Sequence, residues 1–383
     1  MMPFTTENAE TLREHASAFV QKECNQWISR EWDEKCVYPK HVFDKLAQLG
    51  WIGIGIPEAE GGSGGGATEL IVLCEELGRG STDLVACLSL TASGMRTLIA
   101  HGTEEQKATL IPQLMDGTKR LSISISEPDS GSDSAALAAT AVRRDATMFV
   151  ARGQKTWCEA AGHPGTLIQL FVRTNPDVPK HQGISMFLLD PATPGVDIRR
   201  LPTLGRNITG VYEVFLDDVE IPASNMVGHE NGAWRMLLTE LPLERLMISA
   251  GFIGATFQVL EDVLAHVKER RQFGQAVGNF QGVAHPIVDL FTRAEATRLL
   301  VYEGVRLLDG DQDAAKYAAM AKLACAELYA DVARQAILFM GGYGYIREHP
   351  LTMHIADSVI APVAGGTSQI MRNLVARTLG LRT

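Results

Sequence analysis

Three short stretches of the sequence carry residue types that suit the binding of a flat cofactor with a phosphate group. Residues 124–133 (SISEPDSGSD) have hydroxyls and backbone N–H groups that can hold an anion or the polar edge of a ring, although such residues are common in surface turns. Trp157 has a broad face that could wall such a ring or fill the core. Arg270 offers a planar fork of donors to a pyrophosphate, although an arginine-rich helix face is usually only solvated. Together these stretches suggest a flavin.

The elements that must position these residues follow from the hydrophobic periodicity. From residue 7 to about residue 117 the apolar residues recur at helical spacing. From there to about residue 228 the pattern shortens to runs such as GISMFLLD, separated by Pro, Gly, Asn and Asp, which predicts strands. Long helical segments then return. We therefore predict an α+β fold without a βαβ sheet. Its domains are an N-terminal helical domain (1–118), a middle β domain (119–230) and a C-terminal helical bundle (231–383).

The composition disfavours several classes of function. The 383 residues carry a net charge of −10, so binding to a nucleic acid backbone would work against the overall field. The N-terminus lacks the basic and apolar regions of a leader, and no apolar run approaches the roughly 20 residues of a membrane span. We therefore expect a cytoplasmic chain without membrane insertion. The six cysteines form no C-x-x-C pair, which predicts reduced thiols and no metal site.

A glycine-rich stretch at residues 62–67 (GSGGGA) matches the relaxed dinucleotide fingerprint G-x-G-x-x-A and precedes a predicted helix. The possible strand WIGIGI ends five residues before it, and no βαβ unit follows. We therefore interpret the stretch mainly as a flexible connection and give a nucleotide role the smaller weight. The motifs of metalloproteases, serine hydrolases and P-loop proteins are absent from the sequence.

The order of six motifs along the chain carries a more specific signal: SEPDSGSD, GQKTW, LERLMISAG, RRQFGQAVGNFQ, MGGYGY and GGTSQIMR. In this order the chain resembles the acyl-CoA dehydrogenase family over essentially its whole length. The resemblance implies a middle β-barrel-like domain and a C-terminal four-helix bundle with FAD held between them. It also implies a homotetramer or homodimer, an acyl-CoA substrate and electron-transfer flavoprotein or a similar electron acceptor.

The resemblance assigns site residues as well. Arg270 and Gln281 would reach the FAD of the neighbouring subunit, and Ser132 would also meet the pantetheine of the substrate. Arg245, Gly365 and Gly366 belong to the substrate side. The residues assigned to the cofactor are Ser126, Gly131, Ser132, Trp157, Glu159, Arg270, Phe273, Gln281, Thr367 and Gln369.

The same resemblance raises the question of which residue takes the α-proton of the substrate. Many family members carry a glutamate where the loop VAGGTSQIMR has Gly365. The isovaleryl and long-chain branches have a small residue there and place the base on an earlier helix, at the position of Glu244. This paired loss and gain predicts Glu244 as the base, with a pKa that burial would raise and Arg245 would lower. The alternative is an exposed Glu-Arg pair in the first helical turn after Pro242.

The predicted reaction is the α,β-dehydrogenation of an acyl-CoA to the trans-2-enoyl-CoA, as in fatty acid metabolism, with the α-proton passing to Glu244 and the β-hydride to flavin N5. The alternative is a relative with altered or lost dehydrogenation, either an acyl-thioester-binding protein or a flavin-dependent enoyl-thioester reductase. The small residues Ala364 and Gly365 favour longer or branched acyl groups.

Three positions depart from the family pattern. Glu159 stands where the family usually has Thr or Ser near flavin N5, and a carboxylate there would repel a reduced, anionic flavin. Leu338 replaces the Gln that usually precedes the Gly-Gly pair by three residues. Pro286 falls within a predicted bundle helix and predicts a kink or an early break.

Overall fold

Helices make up the first part of the chain. The computed structural model describes residues 5–382. Polar side chains at Thr6, Asn25, Ser81 and Thr103 accept hydrogen bonds from backbone N–H groups and so set four helix starts. The helices are α1 (Glu7–Glu23), α2 (Gln26–Lys35), α3 (Lys40–Gln48), α4 (Ala67–Gly80), α5 (Thr82–His101) and α6 (Glu104–Met115).

The glycine-rich stretch before α4 is a connection, as the sequence favours. The possible strand WIGIGI is instead a 3₁₀ turn (Trp51–Gly53) followed by irregular chain. At the start of α4 the Asp309 carboxylate accepts from Ala67 N at 2.7 Å and from Thr68 N at 3.1 Å. A side chain of the protein therefore occupies the helix N-terminus that a phosphate would need.

An eight-stranded sheet forms the middle of the chain. Its inner face builds a core of its own around Phe149, Phe187 and Val214. The strands are β1 (Arg120–Ser124), β2 (Thr140–Arg143), β3 (Met148–Glu159), β4 (Thr166–Arg173), β5 (Ile184–Leu189), β6 (Val196–Leu201), β7 (Val211–Pro222) and β8 (Met226–Val227). Their order in the sheet is β6-β7-β3-β2-β4-β5-β8, with β1 paired to β4.

Long helices return after the sheet. They are α7 (Ala233–Glu269), α8 (Gln281–Asp309), α9 (Ala315–Met340), α10 (Gly342–Tyr345), α11 (Leu351–Ile360) and α12 (Ser368–Thr378). A short hairpin of β9 (Arg271–Gln272) and β10 (Gln275–Ala276) joins α7 to α8. With this helix, sheet, helix order, the predicted α+β fold is confirmed.

Neither Pro286 nor Pro242 lies at the end of a helix. Pro286 lies in the second turn of α8, which continues to Asp309, so the expected early break is wrong. Pro242 lies inside α7, which begins nine residues earlier at Ala233. Glu244 is therefore not in a first helical turn, and the alternative based on Pro242 is wrong. Buried apolar residues lie on both sides of Pro242 but only after Pro286, beginning at Ile287, and their packing offsets the hydrogen bond that each proline removes.

Close backbone packing fixes α7, the helix that carries Glu244. A Cβ atom at Gly254 would lie 1.9 Å from the carbonyl oxygen of Glu75 on α4. A Cβ at Gly78 on α4 would lie 2.3 Å from the carbonyl oxygen of Gly251. Only glycine allows this approach, so the two helices cross at one fixed place.

In the part of the chain that the structure describes, two helices, α5 and α7, are long and apolar enough to cross a membrane, contrary to the expectation from the sequence. About two thirds of the apolar window of α5 and over three quarters of that of α7 are buried within the protein. Such burial is typical of core helices, so these helices are weak evidence for a membrane span.

Candidate active site

Glu244 lies on α7 and lines a narrow pocket between α5, α7 and the sheet. The side chain is partly buried, and it makes no hydrogen bond or ion pair within residues 5–382. Its pKa is raised to about 6, mainly by burial, with an opposing effect of Arg245 and smaller rises caused by the nearby carboxylates of Glu159 and Glu240. A carboxylate with a pKa near the working pH and no partner can exchange a proton with a ligand.

Arg245 is the second uncompensated group. Its Nε atom is buried without a hydrogen-bond partner in the described part of the chain. Burial lowers the pKa of Arg245, and the adjacent Glu244 opposes this effect. An arginine that is buried and left with a free donor suits a bound carbonyl or anion.

The loop that contains Gly365 and Gly366 packs against α7 close to Glu244. Lys322 on α9 holds this loop, because its Nζ atom donates to Ala361 O at 2.9 Å and Gly366 O at 2.7 Å. Burial, followed by the charge of Arg245, lowers the pKa of Lys322 to about 8. A Cβ atom at Gly365 would lie 3.4 Å from Cδ1 of Ile248, one turn after Glu244. The loop therefore lies against the helix turn that carries Glu244.

Both glycines of this loop have left-handed backbones, with φ of +66° and +94°. Neither N–H group donates to a backbone or side-chain acceptor within residues 5–382. Two neighbouring free donors beside a carboxylate are suited to bind a carbonyl oxygen.

The turn with Ser126 lies beside Trp157, as the cofactor hypothesis requires. Thr156 N donates to Ser126 O at 3.0 Å, and Lys155 donates to Ile125 O at 3.1 Å. Here β3 shifts its register against β7, and Trp157 adopts a φ of +60° with 62% of its surface exposed. A left-handed backbone is rare for a bulky residue and typically marks a functional site. Trp157 therefore does not fill the core.

Glu159 lies near Glu244, because its charge raises the pKa of Glu244. Its Oε1 atom lies 3.7 Å from Nε of the buried Arg206, which also donates to Asp83 at 3.1 Å. Burial raises the pKa of Glu159 and the charge of Arg206 opposes this effect. A cation thus faces the carboxylate that the sequence identified as a departure.

Arg270 lies elsewhere. It follows the last residue of α7, about 39 Å along the helix from Glu244. It borders a groove of about 600 Å³ that also includes His266, Gln272, Leu338, Gly341 and Tyr343. The guanidinium lies 5.7 Å from the ring centroid of Tyr343. Arg270 and Glu244 therefore belong to different sites of one chain.

The remaining predicted residues do not all lie near Glu244. Thr367 caps α12 by accepting from Ile370 N at 3.1 Å, so its hydroxyl is engaged in the fold. Phe273 is 94% exposed and lies near Phe280, next to the start of α8. The residues that lie at the surface are Gly131, Ser132, Gln281 and Gln369.

Residues that the sequence did not single out complete the site: Arg206, Lys322, Ser93 and Gln169. No local motif marks them, because each is far along the chain from the residue it serves. Within residues 5–382, no group of three or more His, Cys, Asp or Glu is arranged to hold a metal ion.

The fold and the site define a class of protein with three domains. Its site combines a glutamate of raised pKa, two free backbone donors and an exposed tryptophan. Comparison with known proteins agrees with this class. Family profiles match residues 6–118 (acyl-CoA dehydrogenase, N-terminal domain), 122–219 (middle domain) and 231–380 (C-terminal domain). The chain belongs to the acyl-CoA dehydrogenase family of flavin-dependent oxidoreductases.

Relatives in this family catalyse more than one reaction. The chain is 31% identical to acryloyl-CoA reductase (NADH) of Anaerotignum propionicum, over 97% of this chain and 94% of the relative. It is 30% identical to the caffeyl-CoA reductase-Etf complex subunit CarC of Acetobacterium woodii, over 98% of this chain and 99% of the relative. The structure of butyryl-CoA dehydrogenase from Megasphaera elsdenii superposes with a TM-score of 0.93 at 27% identity, covering 99% of this chain and all of that one.

Proposed function

We propose that the protein is an FAD-dependent acyl-CoA dehydrogenase that forms the trans-2-enoyl thioester, with Glu244 as the base. The observation that carries this proposal is the state of Glu244. It is a partly buried carboxylate with a pKa of about 6, without a partner, and it faces a pocket. An acceptor of this kind is needed to remove a proton from a carbon beside a carbonyl group.

The residues present fit FAD. The groove beside Arg270 has the volume and the donors for the phosphate-bearing part of a dinucleotide. We assign Arg270 and Gln281 to the FAD of a neighbouring subunit, and Phe273 to the cofactor as well. Trp157 has an exposed aromatic face for a ring. The other residues that we assign to this cofactor are Ser126, Gly131, Ser132, Glu159, Thr367 and Gln369. When bound, FAD supplies an acceptor for the β-hydride of the substrate.

The protein's own residues prepare the substrate. The free N–H groups of Gly365 and Gly366 would donate to the thioester carbonyl and stabilise the negative charge that develops on its oxygen. An Oε atom of Glu244 then takes the α-proton. Lys322 keeps the two donors in place by binding the carbonyls on both sides of the loop. Arg245 lowers the pKa of Glu244 and limits the rise that burial causes.

A second candidate is the reverse reaction, the reduction of an enoyl thioester. Two of the relatives above are named reductases, and Glu159 places a second carboxyl group at the site. Protonated Glu244 would then deliver its proton to the α-carbon. The same geometry serves both directions, and the potential of the bound flavin decides between them. An acyl-thioester-binding protein without turnover is the remaining alternative.

The comparisons also support proposals on partners. The name of the Acetobacterium woodii relative includes an Etf complex, and we propose electron-transfer flavoprotein or a similar protein as the electron partner. We further propose a homotetramer or homodimer, in which the groove at Arg270 serves the adjacent subunit, and a cytoplasmic location.

The test is an anaerobic titration of the FAD-loaded protein with straight and branched acyl-CoA thioesters, followed by absorbance at the flavin band. Loss of the yellow colour on addition of an acyl-CoA supports the dehydrogenase. Reappearance of colour when a crotonyl- or cinnamoyl-type enoyl-CoA is added to the chemically reduced protein, without bleaching by any acyl-CoA, would support the reductase. A protein that binds thioesters and changes colour in neither direction would contradict both.

A further inference from the structure

The pocket beyond Glu244 contains more polar groups than a hydrocarbon chain needs. The Oγ atom of Ser93 on α5 is buried and has no hydrogen-bond partner within the described chain. Gln169 on β4 is 5% exposed, and its amide makes no hydrogen bond there. Both residues line the pocket together with Glu240 and Glu244. A buried polar group without a partner destabilises the protein, and a ligand that forms hydrogen bonds with two such groups in one pocket would remove this cost.

The local structure brings these groups together. Gly94 follows Ser93, and a Cβ atom there would lie 2.8 Å from Nε2 of Gln169 and 2.3 Å from Cδ1 of Leu121. The glycine therefore makes room for the amide beside α5. Thr97, one turn after Ser93, already donates to Ser93 O at 3.1 Å. That bond uses the backbone carbonyl of Ser93, so the side-chain hydroxyl remains available to donate to and accept from a ligand in the pocket.

Charge at the far end of the pocket limits what can enter. Glu240 is held through Oε2 by Nε of Arg96 at 3.4 Å, and Arg96 also donates to Gly55 O. Glu240 and Glu244 would repel a carboxylate on the acyl chain, while Arg96 offsets the attraction for an amine. The remaining lining is apolar and includes Leu90, Ile123 and Met236. The pocket therefore suits a neutral group that both donates and accepts a hydrogen bond.

The pocket is small, with about 20 Å³ of free volume, which is room for roughly one water molecule. This argues against the longer or branched acyl groups that the small residues of the loop favoured. We propose, building on the proposed function, that Ser93 and Gln169 select a short acyl thioester with a hydroxyl group near the end of its chain. The hydroxyl donates to Oγ of Ser93 and accepts from Nε2 of Gln169, the amide atom that lies beside Gly94.

Matched thioesters test this selection. Dissociation constants of the FAD-loaded Glu244→Gln protein, in which proton transfer is blocked, are measured by calorimetry. The pairs are 4-hydroxybutyryl-CoA with valeryl-CoA and 5-hydroxyvaleryl-CoA with hexanoyl-CoA, in which a methyl group replaces the hydroxyl. We expect at least one hydroxyacyl thioester to bind about tenfold more tightly than its partner, and glutaryl-CoA to bind more weakly than valeryl-CoA.

Two variants in the same background locate the effect. Ser93→Ala is expected to reduce the preference to within about twofold. Ser89→Ala is the control, because Ser89 lies one turn earlier on α5 and donates to Ala86 O at 3.0 Å outside the pocket. It is expected to keep the preference. Gln169→Met tests the same preference for the hydroxyacyl thioester from the other side of the pocket, where Gln169 lies on β4.

The outcomes separate this proposal from the proposed function. Equal or tighter binding of the methyl partners, or a preference that survives Ser93→Ala, overturns the selection of hydroxyacyl groups. If valeryl-CoA nevertheless bleaches the wild-type flavin, the proposed dehydrogenase function is still supported. A hydroxyl preference without bleaching of the wild type by any thioester supports the pocket and contradicts the dehydrogenase. Absence of binding by every thioester overturns both.

Discussion

Two buried glutamates of this protein have opposite surroundings. Glu75 on α4 is completely buried, with Arg298 at 2.7 Å and Arg13 at 3.4 Å, and it accepts a hydrogen bond from the Tyr302 hydroxyl at 2.6 Å. Glu244 on α7 is partly buried, and its carboxylate has neither an ion pair nor a hydrogen bond within residues 5–382. The two glutamates belong to helices that touch through their backbones.

This is the difference expected between a structural charge and the catalytic base that we propose. Two cations and a hydroxyl stabilise the ionised form of Glu75, so its carboxylate joins α1, α4 and α8. Glu244 has only the through-space field of Arg245, and burial raises its pKa to about 6. A reactive carboxylate must stay available, and its lack of partners is the structural sign of that availability.

Removal of the charge of Glu75, which two arginines compensate, should have the largest effect on stability. Glu75→Gln leaves Arg13 and Arg298 buried without their shared anion, and we expect it to lower the free energy of unfolding by about 3–5 kcal/mol. Urea denaturation followed by circular dichroism measures this loss. Glu261→Gln is the control, since Glu261 pairs with Arg79 near the surface and should cost less than about 1 kcal/mol. Similar losses in both variants would remove the distinction between the two glutamates.

Removal of the charge of Glu244, which has no partner, should stabilise the protein at neutral pH. The pKa of Glu244 is raised in the fold, so the stability that its proton contributes is present below pH 4.5 and is lost as the pH rises through about 6. Relative to wild type, Glu244→Gln should gain roughly 2 kcal/mol between pH 4.5 and pH 7.5. Thermal or urea unfolding at the two pH values provides the measurement. A variant that is destabilised equally at both would show that Glu244 is a structural charge.

Return of a carboxylate to the loop should give the smallest change in stability and a partial gain of function. Gly365 has a φ of +66°, so Gly365→Glu should cost about 1–2 kcal/mol. Its Cβ has space, 3.4 Å from Ile248 and 3.9 Å from Cε of Lys322. In a Glu244→Gln background we expect faster flavin reduction than in Glu244→Gln with Gly365→Gln, which has the same strain and no base. Equal rates would indicate that the loop does not face the reacting carbon.

The sequence predicts the fold better than it predicts the site. Hydrophobic periodicity is local, so the helix, sheet, helix order could be derived from it. The continuity of α7 through Pro242 could not, because packing of that helix against α4 outweighs the local cost of a proline.

Long-range pairs explain what is missing from the sequence-based site. Glu159 is recognisable as a departure from the family pattern, yet Arg206, the cation that faces it, comes from a loop between two other strands. Lys322 supports the loop at Gly366 from α9. Ser93 and Gln169 meet only because Gly94 leaves space between a helix and the sheet. None of these neighbours has a fixed spacing in the sequence.

The central claim is that Glu244 transfers the α-proton. The most direct measurement is the stopped-flow rate of anaerobic flavin reduction by an acyl-CoA that bleaches the wild type, recorded from pH 5 to pH 8 in the wild type, Glu244→Gln and Glu261→Gln. We predict that the wild-type and Glu261→Gln rates rise through a pKa near 6. In Glu244→Gln we expect a rate about 10²–10⁴ lower, without that limb, although FAD stays bound. A Glu244→Gln protein that reduces its flavin at the wild-type rate with the same pH profile would contradict the account.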